Sequence, residues 1–189
     1  MTQAITYPKV SLAEFLTMPE TKPASEYING EVIQKPMPKG KHSRLQSALV
    51  TAINQVAEAD AIALAFSELR CTFGERAIVP DVTMFVWARI PFEDNGEVPN
   101  DFTIAPDWAI EILSPEQSPT KPIDKLVHCI QHQTQVGWLI DPEERAVTVF
   151  QPGQMISVLR SGDKLPVPSV VPLELTVEDV FGWLRAGRR

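Results

Sequence analysis

An acid stands inside the most strand-like run of this chain. Glu111 sits within Ala109-Ile110-Glu111-Ile112-Leu113, which closes on the turn pair Ser114-Pro115. A short apolar run bounded by a turn signal reads as a buried strand. An ionised carboxylate in such a strand is costly unless it is paired or ligates a metal, so the fold must bring compensating groups to it. Upstream, Val79-Pro80-Asp81-Val82-Thr83-Met84-Phe85-Val86-Trp87 is a second apolar run with one acid near its start. Two neighbouring strands would then each supply a carboxylate. With backbone oxygen and water completing the shell, that is the hard oxygen ligand set that Mg²⁺ prefers. Lys125 follows Glu111 by fourteen residues, on what reads as the next helix. From there an ammonium can face an attacking water or the charge developing on a phosphate.

The length of 189 residues and a hydrophobic content of 44% suit one domain with one core. The longest apolar stretches fall short of the roughly 18–20 residues of a membrane span, and no basic segment followed by an apolar core opens the sequence. The expectation is a cytoplasmic protein without membrane contact. Cys71 and Cys129 form no ligand-spaced motif and read as free thiols. The net charge of −7 argues against coating nucleic acid by bulk electrostatics. Positive charge is instead local, at Lys35, Lys39, Lys41 and Arg44 and again at Arg185, Arg188 and Arg189. Solvated surface charge explains both clusters equally well.

Ser11-Leu12-Ala13-Glu14 is a capping-box pattern for a short helix to about Met18, before Pro19. Glu26-Tyr27-Ile28 and Glu31-Val32-Ile33 flank Asn29-Gly30, a two-residue hairpin signal. From His42 to about Ala59, Leu45, Leu49, Ala52, Ile53 and Val56 recur at helical spacing. His42 shares their face, which points its imidazole toward the sheet. It reads equally as a ligand or base beside the metal and as a helix-end histidine satisfied locally. Further strands are expected at 61–66, 69–73, 79–87, 108–113, 137–140, 146–150 and 155–159. Thr120 is expected to cap a helix running to about Gln133, with Lys125, Cys129 and His132 on one flank and His128 more outward. Thr176 with Asp179 should cap a closing helix.

Other acids and histidines weigh less. Asp107 lies four residues before Glu111 on the same strand, about 13 Å away, too far to share one ion with it. Asp107 and Asp141 read as turn chemistry. His128 and His132 have i, i+4 spacing, yet zinc would need a third ligand that the sequence does not supply nearby. Glu31, among apolar neighbours in the hairpin, is a candidate third carboxylate if that strand adjoins the site, and equally an exposed hairpin glutamate.

The order of these motifs resembles the Uma-type family of "putative restriction endonucleases". The resemblance runs from Tyr27-Ile28-Asn29-Gly30-Glu31 through His42, Pro80-Asp81-Val82, Pro106-Asp107-Trp108 and Glu111-Ile112-Leu113-Ser114-Pro115 to Asp124-Lys125-Leu126 and Gly137-Trp138-Leu139-Ile140-Asp141-Pro142. It implies membership of the PD-(D/E)XK nuclease superfamily and an α/β (α+β) fold. That fold is a restriction-endonuclease-like core, a mixed central sheet flanked by helices, with an N-terminal helix and hairpin. Residues 1–189 would form one domain, 1–41 being the extension and 42–189 the core with its closing helix. The resemblance further implies Asp81 and Glu111 as metal acids and the Ile112 carbonyl as a third ligand. Lys125 takes the lysine role, because Leu113 occupies the usual lysine position, and His42 and Glu31 match auxiliary polar positions. Lys121 and Cys129 stand where family members usually carry aspartate and tyrosine.

The expected function is a Mg²⁺-dependent endonuclease acting on DNA, with Mn²⁺ as an alternative cofactor and a homodimer matching the two-fold symmetry of a duplex. The alternative is a catalytically weak module that binds nucleic acid or a protein on the same fold.

Overall fold

A computed structural model describes residues 10–185 and 187, so Arg188 and Arg189 of the basic C-terminal cluster lie outside the described residues. Helix α1 (Leu12–Thr17) opens on the expected capping box, with the Ser11 and Glu14 side chains each bonded to the other's backbone N–H. Strands β1 (Ser25–Ile28) and β2 (Glu31–Gln34) are joined through Asn29 and Gly30, whose φ angles of 54° and 87° are those a tight hairpin turn demands. Helix α2 (Gly40–Ala57) buries Leu45, Leu49, Ile53 and Ala57 along one stripe, with His42 on the same face.

Strands β3 (Ala63–Ser67), β4 (Cys71–Phe73), β5 (Arg76–Ile78) and β6 (Val82–Val86) follow. The run 79–87, expected as one strand, contributes only β6. Pro80 has no N–H to donate and a fixed φ, so Val79-Pro80-Asp81 becomes the link between two sheets. Next come β7 (Trp108–Ile112), α3 (Thr120–Gln131), β8 (Val136–Asp141), β9 (Ala146–Phe150), β10 (Ser157–Arg160) and α4 (Val177–Gly182). Thr176 and Asp179 cap α4 reciprocally. Thr120 does not cap α3. It is the first helical residue, Pro119 holds the cap position, and no side chain caps this end.

The larger sheet has the order β10-β9-β8-β7-β6-β3, antiparallel throughout except for the parallel pair β7 and β8. A parallel pair needs a crossover, and α3 supplies it. The smaller sheet has the order β2-β1-β5-β4. The hairpin expected as an extension is thus built into a sheet, with β1 on the inside. The expected mixed sheet flanked by helices is present.

Side-chain alternation along β7 divides the interior. Trp108, Ile110 and Ile112 join the cluster formed with α2 and α4, whereas Ala109 and Leu113 join the cluster formed with α3 and the small sheet. Trp108 and Trp138 meet edge to face in the first cluster, ring centroids 4.6 Å apart. By the same alternation Glu111 projects toward α3.

Candidate active site

Asp81 and Glu111 come together through strand register. Val82 pairs with Ile110 and Thr83 with Ala109 in the antiparallel β6–β7 ladder, so one further step sets Asp81 opposite Glu111. Asp81 is 2% exposed and Glu111 3%. Each carboxylate has the compensation that its burial requires. Asp81 Oδ1 accepts from Lys35 Nζ at 2.7 Å. Asp81 Oδ2 accepts the Ile112 N–H at 2.7 Å and lies 3.0 Å from His42 Nε2. Lys35 Nζ also donates to the Val79 carbonyl at 2.8 Å, and Gln46 Nε2 to that of Asp81 at 2.8 Å. The linker between the two sheets is therefore clamped from α2 and from the end of the hairpin.

On the other side, the buried Lys125 Nζ lies 2.9 Å from Glu26 Oε1 and 2.7 Å from Glu111 Oε1. Glu26 Oε1 also accepts the Val79 N–H at 2.8 Å. The Lys125 ammonium thus pairs at once with Glu26 and Glu111, the shorter approach being to Glu111. His42 Nδ1 is buried without a hydrogen-bond partner.

The surroundings push the two acids apart. Burial would raise the Asp81 carboxyl, but the His42 hydrogen bond and the Lys35, His42 and Lys125 charges outweigh it and hold the group well below the carboxylate range. Burial dominates at Glu111 and raises it, with Lys125 opposing and Asp81 and Glu26 adding to the rise. For Lys125, burial favours the neutral amine, but Glu111, Glu26 and Asp81 overcome that and raise its pKa, so it stays an ammonium. These groups wall a cavity of about 520 Å³, which extends to Lys121 and Pro122 at the open N-terminus of α3.

Of the residues expected in the site, Asp81, Glu111, Ile112, Lys125 and His42 line this one cavity. Glu31 does not. It is exposed on the edge strand β2, opposite Ile28, because β1 is the strand that faces inward between β2 and β5. The third carboxylate is Glu26, five residues earlier, which the sequence reading missed. The signal was there, since Glu26 adjoins the apolar Tyr27-Ile28 just as Glu111 adjoins Ile110 and Ile112. Lys35, read as surface charge, is the second omission.

Asp107 lies at the far end of β7 and is structural. Its Oδ1 meets Arg89 Nη1 at 2.6 Å and Gln135 Nε2 at 2.9 Å, and its Oδ2 accepts the Val86 N–H at 2.8 Å. Asp141 accepts the N–H groups of Glu143 and Glu144 as turn chemistry requires. Cys71 and Cys129 are buried free thiols, and burial raises both, Cys129 to about 12.

His128 is buried rather than turned outward, because the β4–β5 hairpin covers that flank of α3. Its ring stacks on Phe73 with centroids 4.9 Å apart, and its Nε2 lies 3.2 Å from the Phe73 carbonyl. Among the described residues, no cluster of three or more His, Cys, Asp or Glu is arranged to hold a metal. Burial, aided by Arg76 and His132, lowers His128 to about 4 against the pull of the Phe73 carbonyl and Asp124. Between that value and the ordinary 6.5, the unfolded chain binds the proton and the folded one does not, so stability falls as pH drops through this window. After discounting for nearby solvent, the loss should be about 1–2 kcal/mol. Urea unfolding of the wild type and His128→Gln across the window should show a shallower pH slope in the variant; equal slopes would exclude this origin.

Among the described residues, no helix is long and apolar enough to cross a membrane. No curated protein matches the chain. The solved structure of "a putative nuclease belonging to DUF820" from Anabaena variabilis is 55% identical, covers 93% of this chain and 99% of its own, and superimposes with a TM-score of 0.90. The fold is accordingly the restriction-endonuclease-like one. The Uma2 family, described as "Putative restriction endonuclease", matches residues 12–178. Carrying that match over most of its length, with its motif acids and lysine gathered around one cavity, the chain belongs to the Uma2 family.

Proposed function

We propose that the protein is a metal-dependent endonuclease that hydrolyses phosphodiester bonds in DNA. The observation that carries this reading is the pair of buried acids, Asp81 and Glu111, set opposite each other on neighbouring strands in the wall of one cavity with Lys125 beside them. Two carboxylates on neighbouring strands are oxygen donors that suit a hard divalent cation. Asp81, Glu111 and the Ile112 carbonyl would hold Mg²⁺, or Mn²⁺. When bound, the cation supplies Lewis acidity toward the phosphate and a lower pKa for the attacking water.

The chain's own groups do the rest. Lys125 remains protonated between its acids, so it serves as a fixed cationic donor that orients water and offsets phosphate charge. A general-base role would require the neutral amine. Glu26 positions Lys125, and Lys35 with the Ile112 N–H fixes the rotamer of Asp81. His42 Nε2 faces Asp81 at 3.0 Å, and its Nδ1 is buried without a partner.

A second reading has its own support. Lys35, His42 and Lys125 already balance the acids without any cation, as a binding module that no longer cleaves would allow. A supercoiled-plasmid nicking assay with added Mg²⁺, after chelation, and after Mg²⁺ restoration separates the two, with calorimetry of metal binding on the same protein. The expected result is nicking that chelation abolishes and Mg²⁺ restores. Absence of metal binding, even with DNA present, would sink the nuclease reading in favour of the module.

A further inference from the structure

A second charged locus lies at the same end of the large sheet as Asp81 and Glu111. Strand β8 runs parallel to β7, Asp141 at its end pairs with Ala146, and Ala146 pairs with Arg160. The β8–β9 turn and the end of β10 therefore sit beside the catalytic end of β7. There Arg145, Arg160 and Arg185 surround a depression of about 330 Å³, together with Ser161. Glu144 and Glu178 also line it, yet among the described residues none of the three arginines enters an ion pair. The Arg145 guanidinium lies 4.9 Å from the ring centroid of Phe181, which limits its wandering.

The three guanidiniums outnumber the two carboxylates of the depression, so the repulsion among them is only partly offset, in a chain whose net charge is −7. A phosphate relieves that repulsion, and the planar guanidinium fork suits its oxygens. Helix α2 is tied to the segment that carries Arg185. Arg44, two residues after His42 on α2, donates through Nε to the Trp183 carbonyl at 2.9 Å, two residues before Arg185. At a strand spacing of about 4.8 Å, β9 and β10 stand about 10–14 Å from β7. That span is within reach of a duplex lying across the sheet end.

We propose that Arg145, Arg160 and Arg185 form an anchoring site for a backbone phosphodiester near the bond held in the cavity. The inference rests on the nuclease reading. It adds a site that sets how the nucleic acid lies across the sheet end, with no base contact required.

The test is duplex binding by fluorescence anisotropy over a KCl series without divalent cation, on the full chain and on Arg145→Gln/Arg160→Gln. Thermal unfolding and Mg²⁺ calorimetry accompany both proteins. The double variant should unfold at the wild-type temperature and bind Mg²⁺ as wild type does. Its slope of log affinity against log salt should fall by about 0.9, the value for one lost phosphate contact, with affinity down about tenfold or more. Arg145→Lys/Arg160→Lys should recover most of the slope. An unchanged slope in a folded double variant would overturn the anchor while leaving the nuclease reading intact. So would loss of inorganic phosphate binding alone, which would mark a free-anion site. Failure of the wild type to bind duplex at any salt concentration would overturn the anchor, and absent metal binding in the parallel calorimetry would then show that the nuclease reading has failed too.

Discussion

Lys125→Met should lose about 3–5 kcal/mol of stability near neutral pH, a large share of what holds a domain of this size together. Methionine fills most of the volume, so the loss arises from charge. Glu26 and Glu111, buried at 4% and 3% exposure, would face each other across the site without their shared ammonium. Without that ammonium, burial raises the folded-state pKa of Glu111 still further above the unfolded value. Stability contributed by such a group is present at low pH and lost as pH rises through the folded pKa. The deficit of Lys125→Met against wild type should therefore shrink on acidification and grow on alkalinisation. Urea unfolding at several pH values reads both effects, and adding Glu26→Gln to Lys125→Met should recover part of the loss. A Lys125→Met protein as stable as wild type at neutral pH would mean that this ammonium does not compensate the two acids.

Glu111→Ala should do the reverse, leaving the fold intact and removing activity. Burial already pushes the Glu111 carboxyl upward, so its removal relieves a desolvation cost, and Lys125 keeps Glu26 as partner. The cation would lose one of its two carboxylates. A metal ion contributes several kcal/mol of transition-state stabilisation, and at 1.36 kcal/mol per tenfold the nicking rate should fall on the order of 10³-fold. Calorimetry should show Mg²⁺ affinity lost alongside it. A variant that binds Mg²⁺ and nicks plasmid like wild type would remove Glu111 from the mechanism. The opposite responses of the two substitutions, stability at Lys125 and activity at Glu111, separate the group that holds the site together from the group that would do the chemistry.

Much of this architecture could be read along the chain because its signals are local. The Ser11 and Thr176 capping boxes, the Asn29-Gly30 turn and the apolar stripe of α2 each depend on residues within one or two turns of each other, and all four formed as their patterns required. Asp81 and Glu111 were legible for a related reason, since a charge in an apolar run demands compensation wherever it falls, and Lys125 was read from its place on the next helix. What the sequence left open depended on pairing between distant segments. Glu31 and Glu26 occupy the same hairpin and look alike in sequence. Only the docking of β1 against β5, fifty residues on, exposes the first and buries the second beside Lys125. Lys35 is one of several lysines near Pro36 until the Val79-Pro80-Asp81 linker folds against it, and His128 turns inward only because the β4–β5 hairpin lies over α3. The sequence by itself determined which residues are too costly to bury alone. The tertiary structure decided which partners meet them, because ion pairing acts over a few ångströms in space and is indifferent to separation along the chain.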